Sequence, residues 1–292
     1  MLTKRTLPLI PIILLFCFGL ASCSQSGQVS QATSTALPTP TEEPMAIRVN
    51  GDGITVVEYQ AELNRIQMAD KELGITTDEK SQKESVQNEL ITQVLLAQGA
   101  STKNYTINDA ALQKRIDDLA SQIGGTDKLK DWQNKYEYDE AHFRIALQRD
   151  MAAAWMRDQI AASVGDTADQ VHARQIRVDD EATAQTIQQQ IKSGADFGTL
   201  VSKYDPLTQG DLGWFPHGYL YQTAVDDAAF KLQVGEVSEM IKTDIGYHFV
   251  QVTEKDANHP LSPDAKLFLQ HKAVDDWLKQ QRDSAKIELI AP

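Results

Sequence analysis

The C-terminal stretch SPDAKLFLQHKAVDDWLKQQRDSAKIELI, residues 262–290, limits the possible folds more than any other segment. Ser262 reads as an N-cap and Pro263 as the first helical position. Leu267, Val274, Trp277 and Leu278 then fall on one side of the helix as an apolar stripe. A lone helix cannot bury that stripe, and a pattern of about three turns is too short for an independent coiled coil. The end of the chain must therefore return to helices made earlier.

Those helices precede residue 170. MAIRVNGDGITVV opens with a short strand-like piece and a Gly-Asp-Gly turn at residues 51–53. A helix follows, with Tyr59, Leu63 and Ile66 at helical spacing. Ser81 and Glu84 suit a capping box for the next, whose apolar face carries Val86, Leu90, Ile91, Val94 and Leu95. Leu112, Ile116, Leu119 and Ile123 mark a third, ended by Gly124 and Gly125. Phe143, Ala146, Met151, Trp155 and Ile160 give the long segment after it a partly buried face. His142 has no second histidine nearby and reads as a satisfied surface residue, and the methionines read as packing residues.

The first 45 residues do not belong to this body. Lys4 and Arg5 precede LPLIPIILLFCFGL, an apolar run too short and too proline-rich for a lasting membrane helix, so residues 1–22 read as a secretory signal. LASC, Leu20 to Cys23, resembles the bacterial lipoprotein processing site, which implies a lipid on Cys23 and an address on the outer face of the cytoplasmic membrane. Stable attachment then needs more than one acyl chain. Residues 23–45 are rich in Ser, Thr, Gln and Pro and read as a flexible tether. Cleavage would remove Cys17, leaving no partner for a disulfide and, with Cys23 lipidated, no cysteine nucleophile. It would also remove Lys4 and Arg5 but no acid, moving the formal net charge from -13 to -15. Such a surface disfavours nucleic acid and anionic lipid as partners.

From residue 171 the texture changes. VHARQIRV alternates like a strand, with Val171, Ala173 and Gln175 on one side and His172, Arg174 and Ile176 on the other. Two helices follow, the first stopping near Gly194 and the second capped by Asp196. QGDLGWFPHG, residues 209–218, packs three glycines around Leu212, Trp214 and Phe215. A short helix over 226–232, strand-like EMIKT, a turn at 244–246 and the strand YHFVQVTE complete the run. With one more strand near 213–215, this makes a small antiparallel sheet flanked by helices, hence an α+β chain.

The segments VHARQIRV, SGADFGTLVSKY, GDLGWF and DDAAFKLQVGEVSEMIKTDIGYHFVQV, taken in order, resemble a parvulin-type peptidyl-prolyl cis-trans isomerase domain over Val171 to Lys255. The helices before and after it resemble the chaperone domain of secreted foldases of the PrsA and SurA kind, in which the isomerase domain interrupts the chaperone domain. The resemblance implies a chaperone domain over 46–169, an isomerase domain over 170–256 and a C-terminal helix over 257–292 packed on the chaperone domain. It implies clients that are unfolded or nascent secreted chains containing X–Pro bonds. It also assigns residues. His248 falls on the second of two family histidines, and Gln175 occupies the place of the first. Asp205 is the nearest candidate for the family's acidic position, or else a turn aspartate before Pro206, in a loop several residues short. Leu212 would line a proline pocket, with Leu220 where the family has methionine and Val225 near a family phenylalanine. Trp214 and Phe215 would line that wall or support it. Rotation about a peptide bond breaks no bond, so the reaction implies neither cofactor nor metal. A holdase chaperone with a weakly active domain is the alternative that Gln175 and the short loop favour.

Overall fold

A computed structural model of the chain describes residues 43–290, so the leader, Cys23 and almost all of the tether lie outside the described residues. The described residues divide into two compact units, one formed by the chain up to Gln159 together with the segment from Asp276 onward, and one of Ile160–Asp275. The protein is α+β, with a small antiparallel sheet set between helical N- and C-terminal regions.

In the first unit β1 (Met45–Val49) and β2 (Asp52–Thr55) form a hairpin. Its turn is Asn50–Gly51, both at positive φ, and not Gly51–Gly53 as the glycine spacing suggests. Asn-Gly is the pair that a two-residue turn of this hand selects, which frees Asp52 and Gly53 to enter the strand. Helices α1 (Val56–Leu73), α2 (Glu79–Thr102), α3 (Asp109–Ile123), α4 (Thr126–Lys135) and α5 (Glu140–Ala162) follow. The start of α2 corrects the Ser81 capping box: Asp78 is the cap and accepts a 3.0 Å hydrogen bond from the Ser81 amide. The end of α3 is Gly124, in the left-handed region.

Helix α1 serves two cores. Tyr59 and Leu63 pack with Ile47, Val49 and Ile54 of the hairpin and with Val86, Leu90 and Val94 of α2. Ala61 packs with Leu112, Ile116 and Leu119 of α3 and with Phe143 and Leu147 of α5. The buried acids of α1 are neutralised in place, Glu62 by Arg65 and Glu58 by Arg149. An unpaired carboxylate there would be costly.

The second unit begins its sheet with β3 (Thr167–Val178), followed by α6 (Glu181–Lys192), α7 (Phe197–Tyr204), β4 (Asp211–Pro216), α8 (Thr223–Lys231), β5 (Ile241–Thr243) and β6 (Gly246–Pro260). The strand order is β4-β3-β6-β5, antiparallel throughout. β3 and β6 stay paired from Thr167 opposite Pro260 to Val178 opposite Tyr247, so the sheet reaches beyond 170–256 at both ends. Asp180 and Asp196 cap α6 and α7 through their side chains.

The last elements are α9 (Pro263–Ser284) and β7 (Ile287–Leu289). The Ser262 hydroxyl accepts from the Ala265 amide, as an N-cap does. Leu267 is 51% exposed, so the apolar stripe is not buried along its whole length. Only the part from Asp276 onward belongs to the first unit. There Leu278 and Ile287 join the hairpin core. Trp277 lies against Gly99, where a Cβ would stand 2.7 Å from its ring. The Arg282 guanidinium donates to the Asn88 carbonyl and the Thr92 hydroxyl of α2. β7 pairs with the free side of β1, a strand that hydropathy did not mark. Removing residues 276–292 is therefore expected to expose the β1 edge. The Asn50 amide donates to the Lys286 carbonyl, and Arg48, two residues back, points to the same side. Amide exchange of Arg48 and Asn50 should accelerate, while the β3–β6 ladder keeps its protection, and unchanged exchange at these two residues would contradict this account.

Candidate active site

The side chains of β3 and β6 alternate between two faces. Ile176, Tyr247 and Phe249 pack under α6 and α7 with Ile187, Phe197 and Leu200. Val171, Ala173, Val250 and Val252 face the other way, packing with Phe215 of β4 and with Val225 and Ala229 of α8. Leu212, Leu220, Phe230 and Ile241 are partly buried at the margin of this second cluster. The period of two carries its rows on to Gln175, after Ala173, and to His248, before Val250.

Those two polar residues meet. His248 is only 2% exposed, and its Nδ1 lies 3.1 Å from Gln175 Oε1. Its Nε2 lies 2.9 Å from the Thr243 hydroxyl oxygen. A neutral imidazole carrying its proton on Nδ1 donates to Gln175 and accepts from Thr243 when the one proton of that hydroxyl turns from the Gly246 carbonyl, 3.2 Å away, to the ring. Burial pushes the His248 pKa below the ordinary 6.5, the Arg177 guanidinium pushes it the same way, and Asp244 opposes them weakly. Arg177 is itself held by Asp179 and by the Ile245 carbonyl.

The glycine-rich stretch is built around a β-bulge. Ala173 pairs with Gly213 and Arg174 with Asp211, which leaves Leu212 as the extra residue. Gly213 adopts φ 68°, a left-handed conformation that glycine tolerates. The irregularity places Leu212 with Phe215 in the cluster beside α8. Trp214 is placed elsewhere, stacked on His259 with ring centroids 3.8 Å apart and 5.5 Å from His172. Gly210 allows the loop to approach β3. Its carbonyl accepts from the Gln175 amide at 2.8 Å, and a Cβ on it would fall 2.0 Å from the Gln175 carbonyl oxygen.

Several candidate pocket residues are thus separated by their surroundings. Leu212 and Leu220 keep exposed surface, whereas Phe215 and Val225 are 0% and 2% exposed and back the wall from inside. Trp214 does not join them. His172, bonded through Nδ1 to Thr253 and set 3.3 Å from Asp211, shares the Trp214 environment and not that of His248. Asp205 accepts from the Thr208 and Gly210 amides and from the Thr208 hydroxyl, which lower its pKa and tie its carboxylate to the turn.

Asp226 is the residue that sequence reasoning missed. It is fully buried and accepts from the Gly218 amide at 2.8 Å and the Leu220 amide at 3.0 Å, which fixes the turn carrying Leu220. Its signal in the sequence is weak: an acid in the first turn of a short helix, eight residues beyond a glycine, looks like any exposed helix acid.

Comparison with known proteins bears on the same two regions. Residues 163–254 match the PPIC-type PPIASE domain and residues 3–147 the SurA-like N-terminal domain. The foldase protein PrsA of Geobacillus sp. (strain WCH70) is 30% identical over 234 residues, covering 74% of this chain and 83% of that protein. The chain belongs to the PrsA foldase family. The PrsA of Bacillus subtilis (strain 168) is 27% identical over 215 residues, covering 66% of this chain and 72% of that one. A crystal structure of PrsA from Bacillus cereus aligns with 70% of this chain and 80% of its own at 23% identity, with a TM-score of 0.43. Within this PrsA-type chain the SurA-like match falls on the helices up to α5, and the PPIC-type match contains both Gln175 and His248.

The His248 surroundings have a measurable consequence. A histidine with a depressed pKa binds fewer protons folded than unfolded in the window between the two values. Its contribution to stability is therefore complete above pH 6.5 and is lost as the pH falls through the folded-state value. An NMR titration should place the His248 midpoint below 6.5, and Arg177→Gln should raise it. A midpoint at or above the ordinary value would mean that the ring is hydrated.

Proposed function

We propose that this chain is a peptidyl-prolyl cis-trans isomerase and foldase that assists secreted proteins outside the cytoplasmic membrane, to which a lipid on Cys23 anchors it. The observation that carries the enzymatic reading is the neutral His248–Gln175 pair, continuing the sheet rows whose apolar members pack with Leu212 and Leu220. That face suits an apolar ring with an amide attached. Isomerisation is slow because amide resonance must be broken in the twisted state. A site complementary to the twisted amide accelerates the turn without moving a proton or forming a covalent bond. A thousandfold effect needs only about 4 kcal/mol.

Leu212 and Leu220 would grip the proline ring, with Phe215 and Val225 behind them. His248, oriented by Gln175 and Thr243, would lie beneath the rotating amide. Asp205 would act by holding the short 205–209 loop. Clients would be unfolded secreted chains with X–Pro bonds, and the SurA-like helical unit would hold them while the bond turns. We assign the domains as a leader over 1–22, a tether over 23–45, a chaperone domain over 46–169, an isomerase domain over 170–256 and a C-terminal segment over 257–292.

Exchange spectroscopy on a short X–Pro peptide tests the reading. Leu212→Asp should lower kcat/KM at least tenfold, a loss of about 1.4 kcal/mol, whereas His172→Ala on the Trp214 side should leave the rate unchanged. Equal losses in both variants would remove the assignment of faces. Two observations favour a holdase as the second reading: Gln175 stands where the family has a histidine, and Asp205 is bound into its own turn. A full chain that suppresses aggregation of an unfolded client yet leaves the peptide exchange rate at its uncatalysed value would select it.

The anchor has its own test. Cys23→Ala should release the chain from the membrane fraction into the medium, and continued membrane association would exclude lipidation at this residue.

A further inference from the structure

Beside the turn that Asp226 anchors, a histidine and a second carboxylate complete a donor set of a different kind. His217 stands between β4 and α8, and Asp226 and Asp227 lie near the start of α8. His217 Nε2 is 3.2 Å from Asp227 Oδ1 and 3.8 Å from Asp226 Oδ1. One donor atom from each of the three residues lies within 4.8 Å of the other two. Atoms bound at about 2.0–2.2 Å around a tetrahedral ion stand roughly 3.3–3.6 Å from one another, which the two measured separations bracket.

The surroundings support the donors as a ligand shell would require. Asp226 is 0% exposed, and the Gly218 and Leu220 amides each donate to one of its oxygens, fixing the carboxylate. Each oxygen keeps a further lone pair. Hydrogen bonds that orient a ligating carboxylate in this way are a regular part of metal sites. The His217 ring is restrained by an edge contact with Phe230, with centroids 4.8 Å apart at 78°. The His217 imidazole faces both carboxylates, so the three donors converge on one point.

We propose that His217, Asp226 and Asp227 bind a divalent metal ion of the zinc class, with water completing its coordination. The ion would tie the turn after β4 to α8, the two segments that carry Leu220 and Val225. This site does not depend on prolyl isomerisation and would stand if that activity were absent.

The test uses the metal-free full chain with its thiols alkylated, titrated with Zn²⁺ by calorimetry while the histidine imidazole resonances are followed by NMR. His142 also has two carboxylates at its ring nitrogens, Asp139 and Glu43, so His142→Ala serves as the control. Saturable binding that shifts the His217 resonances is expected, weakened about tenfold or more by His217→Ala and by Asp227→Asn and unaffected by His142→Ala. Asp226 stays intact because its carboxylate also anchors two backbone amides, and circular dichroism verifies that both variants fold. Absence of saturable binding, or undiminished affinity in either folded variant, overturns the proposal.

Discussion

The pairing of β3 with β6 is the constraint on which the isomerase-like unit rests. It is the long central ladder of the sheet, and each residue on it is committed to one of two cores. Because strand side chains alternate, a slip of one residue would send Ile176 and Phe249 to the α8 side and Gln175 and His248 into the core under α6 and α7. Apolar packing on both faces thus fixes the register, and the register brings Gln175 to His248. The polar pair is a by-product of two hydrophobic surfaces being satisfied together.

Irregularities in that ladder are as informative as its regular part. The register shifts beside His172 and Ala173, and β4 carries an extra residue at Leu212. Regular alternation along Asp211–Pro216 would put Leu212 and Trp214 on one side. The bulge, with Gly213 in a left-handed conformation, separates them and assigns the leucine to the apolar cluster. Gly210 serves a different end, a close backbone approach that ties the short loop to Gln175 itself. The loop is therefore tied through its backbone to the strand that carries Gln175.

Much of this could be read from the sequence, and the misses share a cause. Helical spacing identified Leu112, Ile116 and Leu119 and the face of α2, because those residues repeat along one element. Alternation along YHFVQVTE sets Tyr247 and Phe249 opposite His248, and those two rings pack in the core under α6 and α7. What escaped depends on partners distant in the chain. β7 is three residues long and exists because β1 offers a free edge. Asp226 is buried because the 218–220 turn folds over it. Trp214 was grouped with Leu212 because a one-dimensional pattern does not register a bulge. The Ser81–Glu84 spacing matches a capping-box motif, while the cap in use, Asp78, is set by where the chain enters the helix.

On the proposed isomerase reading, Gln175 stands where the family resemblance places an imidazole, which bears on what the His248 surroundings would accomplish. Two adjacent imidazoles share one proton and leave the tautomer of each open to exchange. An amide has fixed donors and acceptors and does not titrate. Gln175 Oε1 and the Thr243 hydroxyl lie at the two ring nitrogens of His248 and orient the imidazole. Proton transfer is no part of turning an amide, so this loss of protonic freedom removes nothing the rotation requires. On the proposed reading, these contacts would orient the polar group beneath the apolar face before a client binds. A preset field of that kind stabilises a twisted amide only if its orientation is right. On the proposed isomerase reading, the rate would depend on the angle of the imidazole to the client carbonyl, which Gln175 helps to set, more than on any acidity in the site.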